Sequence, residues 1–395
     1  MNFASKDNPV EIKKSNVTAN ILVLFGTRPE AIKLAPVINE LKNIKQFNTT
    51  VVSSSQHTDL LTPFLSLFNI ETDYDLKVMT NNQSPNQVLS KTVALLDEIL
   101  ERDKPDLIVV QGDTTTTLAG ALAGFNRDIA VGHIEAGLRT GNIRSPFPEE
   151  MNRRLISQAS TFHFAATSEN RQNLLREHFE ESRIFLTGNT IVDALNFIRS
   201  NFKPSDKIRF IVNQTNRLKT ILLTTHRRES FRKDMKQNLI VLRDFIKKYS
   251  NTCLIFPVHP NPNVRQITNE ILDGVERVHL LEPVDYTDFI HIMENSWLIV
   301  SDSGGVQEEA PTLGKPVFIL RENTERPEAV QCGIAKLVGG NSRKFARMLQ
   351  DNYLADTWIK SVKQVQNPFG DGKSAKRITK ILTNLSNPLH AKIKP

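Results

Sequence analysis

Short apolar runs that end in glycine or polar residues, each followed by a helical pattern, recur along this chain and limit what it can fold into. Runs at 21–25, 50–53, 107–110, 129–134, 162–166 and 184–187 each lead into a segment of helical periodicity. Apolar runs of this length, bounded by turns and separated by helices, fit strands buried on both faces of a parallel sheet with crossover helices. A looser stretch near 202–217 interrupts the rhythm, which restarts at 220–224, 254–258, 278–281, 297–301 and 316–320. The fold class expected is α/β, with two Rossmann-like doubly wound parallel-sheet domains and a cleft between them. A length of 395 residues suits two domains of roughly 100–200 residues each. The expected organisation is a disordered leader at 1–20, a first domain at 21–200, a linker at 201–217, a second domain at 218–371, and a helical tail at 372–395 that packs back on the first domain.

Local signals agree with this rhythm. Gly26 ends the first run, and Pro29 stands where the first helical position is expected, before a helix running to about Lys42. Ser84-Pro85-Asn86-Gln87 has the form of a capping box, and Leu89, Val93, Leu96 and Leu100 follow at helical spacing.

Composition removes several classes of function. Residues 1–20 are polar and contain no apolar core, so they do not read as a secretory signal. No run approaches the ~20 apolar residues of a membrane span. Cys253 and Cys332 are far apart, form no CxxC, and read as buried free thiols, which fits a cytoplasmic protein. The net charge of +7 comes from basic residues scattered among acids, without a basic stretch interleaved with aromatics. An anionic small substrate explains that sign better than nucleic acid or a membrane surface.

In open parallel sheets, ligands bind beyond the carboxyl ends of the strands. Here those ends read Gly26-Thr27-Arg28, Gly112-Asp113-Thr114, Glu135-Ala136-Gly137, Thr225-His226-Arg227, His259-Pro260-Asn261 and Asp302-Ser303-Gly304-Gly305. Ser303-Gly304-Gly305, between a strand and a helix, fits a diphosphate cradle, with Glu309 one turn on for ribose hydroxyls. A plain strand–helix turn explains the same glycines. Arg28 and Lys33 flank a helix start and could neutralise phosphate, or be solvated surface cations. Asp113 fits an acid–base group and equally a helix N-cap. His133 and Glu135 lie two apart, which puts them on one side of a strand as a structural pair or half a metal site. No third ligand has suitable spacing, so no metal is expected. Glu149 and Arg153 share a helix face, either as a surface ion pair or turned to the cleft. His226, followed by Arg227 and Arg228, is a candidate anion ligand.

The missing motifs narrow the chemistry further. GxGxxG, a Walker A loop and a GxSxG nucleophile elbow do not occur. Carboxylates and histidine remain, without a cofactor, which points to acid–base chemistry on a bound anion.

The ordered set of motifs resembles a family. Phe25-Gly26-Thr27-Arg28-Pro29-Glu30-Ala31-Ile32-Lys33, Gly112-Asp113-Thr114-Thr115-Thr116-Thr117 and His133-Ile134-Glu135-Ala136-Gly137-Leu138-Arg139-Thr140-Gly141 are joined by Pro148-Glu149-Glu150 with Asn152-Arg153. Thr225-His226-Arg227-Arg228-Glu229 and Asp302-Ser303-Gly304-Gly305 through Glu308-Glu309-Ala310-Pro311 complete the set. Together they resemble the non-hydrolysing bacterial UDP-N-acetylglucosamine 2-epimerases, from about Ile21 to Ile381. The resemblance implies a glycosyltransferase-B type fold with the active site between the lobes. It implies reversible conversion of UDP-GlcNAc to UDP-ManNAc for cell-surface polysaccharide, through elimination of UDP to 2-acetamidoglucal and its re-addition, with no NAD or metal. By the same resemblance Asp113, Glu135 and Glu149 are the acid–base residues and His226 assists the leaving diphosphate. Arg28, Ser303, Gly304, Gly305 and Glu309 hold UDP, with Phe289 near the uracil and Arg153 near the sugar. Lys33, His259 and Arg326 complete the substrate-binding set. A homodimer is the family expectation. Many members bind a second UDP-GlcNAc as an activator through a Gln-His-Arg stretch. Here that stretch is Gln56-His57-Thr58 and lacks the arginine, while Arg227 and His259, also linked to that site, are present.

Overall fold

The computed structural model describes residues 19–55, 64–80, 82–225 and 233–386. Two sheets, with every strand pairing parallel, organise them into two lobes. The first sheet contains β1 (Ala19–Phe25), β2 (Phe47–Ser53), β3 (Tyr74–Asp75), β4 (Leu107–Gln111), β5 (Ala130–Ala136), β6 (Phe162–Ala165) and β7 (Ile184–Leu186). Its spatial order is β3-β2-β1-β4-β5-β6-β7. The second contains β8 (Lys219–Thr224), β9 (Thr252–Pro257), β10 (Val278–Leu281), β11 (Leu298–Ser301), β12 (Val317–Ile319) and β13 (Ala335–Leu337), in the order β10-β9-β8-β11-β12-β13. The order reverses between β1 and β4 and again between β8 and β11. These are the switch points where doubly wound sheets open a crevice.

Burial on both faces explains why the strands read as continuous apolar runs. In β1, Ile21, Val23 and Phe25 enter one apolar cluster, and Leu22 and Leu24 enter another on the opposite face. In β8, Leu222 faces one cluster while Ile221 and Leu223 face the other. One cluster crosses between the lobes. It joins Ile191, Leu195 and Ile198 of helix Thr190–Asn201 to Ile290, Met293 and Val306 of the second lobe. The cleft residues are thus carried by two rigid sheets that share packed surface.

Several boundaries differ from expectation. Ala19 and Asn20, assigned to the leader, are the first residues of β1 and pair with Phe47 and Asn48. Two-residue β3 and three-residue β13 were not anticipated, since edge strands this short carry too little pattern. The stretch expected as a linker holds helix Asp206–Thr215, capped by the Ser205 hydroxyl. Ser205 also donates to Asp288 from its N–H (2.7 Å) and its hydroxyl (2.8 Å), fastening this helix to the second lobe. Ile208, Val212 and Thr215 form its buried stripe, a pattern too short to stand out within a polar stretch.

Helix Ser374–Ser386 returns to the first lobe. Asp193 accepts the N–H groups of Ser374 (3.1 Å) and Ala375 (2.9 Å), and Arg377 donates to the Thr187 carbonyl at 3.1 Å. Ile378 and Leu382 enter the interlobe cluster. Among the described residues, no helix is long and apolar enough to cross a membrane.

Candidate active site

The turn after β1 begins the site. Thr27 caps helix Arg28–Lys42, and Glu30, at its third position, closes a capping box. Glu30 is buried and accepts hydrogen bonds from the N–H groups of Gly26 (3.1 Å) and Thr27 (2.7 Å). It also accepts from the hydroxyls of Thr27 (2.7 Å), Thr114 (2.6 Å) and Thr117 (2.8 Å). Burial raises its pKa against all these donors. Glu30 thereby joins the turn that carries Arg28 to the turn that carries Asp113.

Asp113 follows β4. The cap of the next helix is Thr114, whose hydroxyl accepts the Thr117 N–H at 3.1 Å, so the capping alternative for Asp113 is not realised. The Asp113 carboxylate instead meets Arg153, with Nε at 2.8 Å and Nη2 at 2.7 Å. Both nitrogens converge on one oxygen, Oδ2, in a charge-assisted contact that leaves the other oxygen outside the pair. Asn152 donates to the Asp113 carbonyl at 2.9 Å. The next residue up the strand is also braced: Gly112 donates its N–H to Ile134 O at 3.0 Å, and His133 Nε2 lies 2.7 Å from Gly112 O. A carbonyl only accepts, so this nitrogen of His133 carries the proton. Burial lowers the His133 pKa to about 4, which keeps the ring neutral.

Glu135 sits inside β5 rather than beyond it. The pairing of β5 with β6 shifts register between Ile134 and Ala136, and Glu135 has φ +66°. A bulge of this kind re-aims one side chain. A left-handed conformation at a non-glycine residue costs on the order of 1–3 kcal/mol and is commonest at functional sites. It also overturns the expected His133–Glu135 pair: His133 turns to Gly112, and Glu135 faces the cleft. Its carboxylate accepts from Lys33 Nζ at 2.6 Å, Asn189 Nδ2 at 3.2 Å and the Gln111 amide. Burial opposes the Glu135 charge, but Lys33 and then Arg326 outweigh it and hold the pKa below the usual carboxylate range.

Lys33 is not a free cation. It is buried, contacts Glu135 at 2.6 Å and meets Glu308 of the second lobe at 2.8 Å. Burial opposes its charge too, and the two carboxylates overcome it to raise the pKa. Arg28 contrasts with it. It is half-buried and makes no ion pair with the described residues, and its charge acts on Tyr286 and Glu309 across the cleft.

The second lobe presents Ser303 and helix Gly304–Glu309 at the end of β11. A side chain at Gly304 would put its Cβ 2.7 Å from Arg326 Nη1, so this glycine lets the guanidinium lie against the turn. A Cβ at Gly305 would meet only Ser303 Oγ, at 3.9 Å, which leaves that side open. Arg326 Nε donates to Glu308 at 2.8 Å and Nη1 to Glu325 at 2.8 Å. Glu309 is buried and accepts the Tyr286 hydroxyl at 2.7 Å; burial pushes its pKa up to about 7. Phe289 is half-buried on helix Tyr286–Glu294. His259 is half-buried after β9, and its Nδ1 accepts the Asn261 N–H at 3.2 Å.

Glu149 opens helix Glu149–Ala159 and is half-buried. Arg153, expected to share its face, pairs with Asp113 and with Glu150 (3.1 Å). His226, Arg227 and Gln56-His57-Thr58 lie outside the described residues. Among the described residues no cluster of His, Cys, Asp or Glu has the form of a metal site.

A family model described as UDP-N-acetylglucosamine 2-epimerase matches residues 39–383. This chain belongs to that family. A UDP-N-acetylglucosamine 2-epimerase of Yersinia pestis is 44% identical over 370 residues, 92% of this chain and 98% of that protein. The UDP-GlcNAc 2-epimerase of Neisseria meningitidis, solved bound to UDP-GlcNAc, superposes with a TM-score of 0.87 at 43% identity, covering 92% of this chain and all of that one. The Methanocaldococcus jannaschii enzyme, solved with UDP-GlcNAc and UDP, gives 0.78 at 35% identity over 92% of this chain and 99% of its own. The two-lobed parallel-sheet architecture is therefore that of the UDP-N-acetylglucosamine 2-epimerase family.

Within this family frame, the structure adds residues that sequence reasoning passed over. Glu308, Gln111 and Asn189 hold the Lys33–Glu135 pair, Glu150 shares Arg153, and Tyr286 caps Glu309. Only Glu30 carried a readable local signal, the Thr27-to-Glu30 capping box. The others act through contacts between distant segments.

Proposed function

We propose that this chain interconverts UDP-GlcNAc and UDP-ManNAc by the non-hydrolysing route, holding UDP throughout. In the forward direction a carboxylate removes the C2 proton, and the C–H electrons form the C1=C2 bond. The C1–O bond breaks and UDP leaves with its charge. In the second half the UDP oxygen adds back to C1 of 2-acetamidoglucal while a second acid protonates C2 from the opposite face. No water is consumed.

The observation that carries this reading is the pair of carboxylates Asp113 and Glu135, held by Arg153 and Lys33 at neighbouring strand ends, facing the turn Ser303–Glu309. A C2 proton is a weak acid, so its removal needs a base fixed in place and a stabilised leaving group. The first lobe supplies the former through Asp113, Glu135 and Glu149. The second supplies the latter through Ser303, Gly304, Gly305 and Arg326, with Arg28 reaching in from the first lobe, and His226 assists. Glu309 accepts the ribose hydroxyls and Phe289 packs near the uracil. Lys33 and Arg153, expected as substrate cations, serve this reading by orienting Glu135 and Asp113. The product would feed cell-surface polysaccharide, and no cofactor enters the scheme.

Exposed Phe125, Phe147, Met151 and Leu155 support a homodimer through the first lobe. Met151 and Leu155 are one turn apart on helix Glu149–Ala159, which packs on helix Thr115–Asn126. Substrate activation at a second site is part of the same proposal, and a strictly hyperbolic dependence of rate on UDP-GlcNAc would remove it.

The deciding experiment is turnover of UDP-GlcNAc in D2O. UDP-ManNAc carrying deuterium at C2, with UDP still attached, is expected. Free UDP with ManNAc, or tight binding without turnover, overturns the proposal.

A further inference from the structure

The lobes are joined inside the cleft by a line of buried charges. Glu135 of β5 meets Lys33 of helix Arg28–Lys42 at 2.6 Å. Lys33 meets Glu308 of helix Gly304–Glu309 at 2.8 Å, and Glu308 takes the Arg326 Nε–H at 2.8 Å. Arg326 in turn pairs with Glu325 and lies against the turn at Gly304. The side chains of Glu135, Lys33 and Glu308 are all less than a tenth exposed. Glu308 touches a cation from each lobe, Lys33 from the first and Arg326 from the second.

We propose that Glu308 is a positioning residue that ties the acid–base carboxylate Glu135 to the nucleotide turn through Lys33 and Arg326. It rests on the epimerase reading and deepens it: elimination needs C2 deprotonation in one lobe and diphosphate departure in the other. With Glu308 in place, Lys33 and Arg326 are each shared between two carboxylates. When a diphosphate sits at Ser303–Gly305, it competes with Glu308 for Arg326, and Glu308 is left to draw on Lys33. Glu135 then holds a smaller share of the ammonium and becomes more basic while UDP is bound. Departure of UDP reverses the shift. The proton affinity of Glu135 is thereby set by occupancy of the other lobe.

The charges acting on Glu135 define the sign. Lys33, Arg326 and Asp113 act on it directly, Arg153 balances Asp113, and Gln111 and Asn189 are neutral donors. Glu308, Glu325 and Glu309 face the cations from the second lobe, with Arg28 nearby. Removing the Glu308 charge releases both cations toward Glu135 and favours its ionised form.

The test is the pH profile of kcat for Glu308→Gln, with UDP affinity measured alongside by calorimetry. The limb owed to Glu135 should move to lower pH by about 0.5–1 unit. kcat near neutral pH should fall about tenfold, with UDP bound as tightly as in the unaltered protein or more tightly, because Arg326 is no longer shared. Glu308→Asp keeps the charge on a shorter arm and should show the same changes at smaller size; it also serves if Glu308→Gln does not fold. A merely structural role would lower the amount of folded protein and leave the profile where it was. Either variant giving a profile superimposable on the unaltered protein overturns the proposal. An unaltered protein that binds UDP but turns over no UDP-GlcNAc overturns the epimerase reading instead.

Discussion

Glu135 in the first lobe and Glu309 in the second are both buried carboxylates at the rim of the cleft, and they are driven in opposite directions. Glu135 has Lys33 at 2.6 Å and is held below the ordinary range. Glu309 accepts the neutral Tyr286 hydroxyl at 2.7 Å, and burial pushes it up to about 7. Burial is common to both, so the partner decides. A cation at contact distance outweighs desolvation, and a hydroxyl does not. The lobes share an architecture, but one keeps its buried acid charged and the other holds its acid where it titrates near neutral pH.

The contrast can be broken most severely at Glu135. Glu135→Gln is expected to lower kcat about 10²–10⁴-fold, the usual worth of a positioned acid–base group. UDP affinity should change by less than about threefold, since the group acts on the sugar. Calorimetry with UDP and a coupled rate assay separate the two. A variant that keeps near-normal turnover removes Glu135 from the chemistry.

The second lobe gives a smaller effect that depends on pH. If Glu309 accepts ribose hydroxyls as proposed, it does so best when ionised, so nucleotide binding should weaken as pH falls through about 7. In the Glu135→Gln protein, chosen for its expected slow turnover, UDP-GlcNAc affinity should drop by about tenfold between pH 8 and pH 6. Glu309→Gln should flatten that dependence. The stability sign is opposite to that of a salt-bridged acid. Because the folded pKa is raised, the protonated form is favoured by folding, and that advantage is lost as pH rises from the unfolded value of 4.5 through about 7. Glu309→Gln should therefore gain most in denaturation midpoint, relative to the unaltered chain, at pH 8. A constant difference from pH 5 to pH 8 would contradict the raised pKa.

Gly304→Ala tests the turn itself. The added Cβ would stand 2.7 Å from Arg326 Nη1, so the guanidinium must move. UDP affinity should fall several-fold, with little change in melting temperature, because the long arginine can swing aside. Gly305→Ala meets open space in the protein alone. Its effect should appear only on nucleotide binding, as a collision with the diphosphate. The smallest effect on chemistry is expected from Met151→Lys, on the exposed first-lobe face. It should shift the molecular mass in light scattering toward the monomer and reduce turnover by a few-fold at most. A dimer that survives this change moves the interface elsewhere.

Much of this molecule was legible along the chain. The runs at 21–25 and 107–110 read as buried strands because each alternates between two cores, and 28–42 read as a helix through Pro29 at its start. The ordered strand-end motifs brought out Asp113 and Glu135 together, because in a parallel sheet every strand delivers its last residues to the same rim. The direction in which Glu135 points was not legible. A period-two reading put it beside His133, and one extra residue in β5 turned it away. Nor was the status of Lys33, which reads as a phosphate cation by position and is in fact enclosed by carboxylates 102 residues away in its own lobe and from the other lobe.

What the sequence alone determined is the architecture and the family, since periodicity, turn residues and motif order are local and survive without contacts. What only the tertiary structure decided is which charges meet. Arg153 chooses Asp113 and Glu150, Lys33 chooses Glu135 and Glu308, and Gly304 makes room for Arg326. Those choices depend on distances of a few ångströms between segments far apart in the chain. Electrostatic strength in a buried cleft changes steeply over such distances, so the same residues could have served several chemistries until the two sheets put them in place.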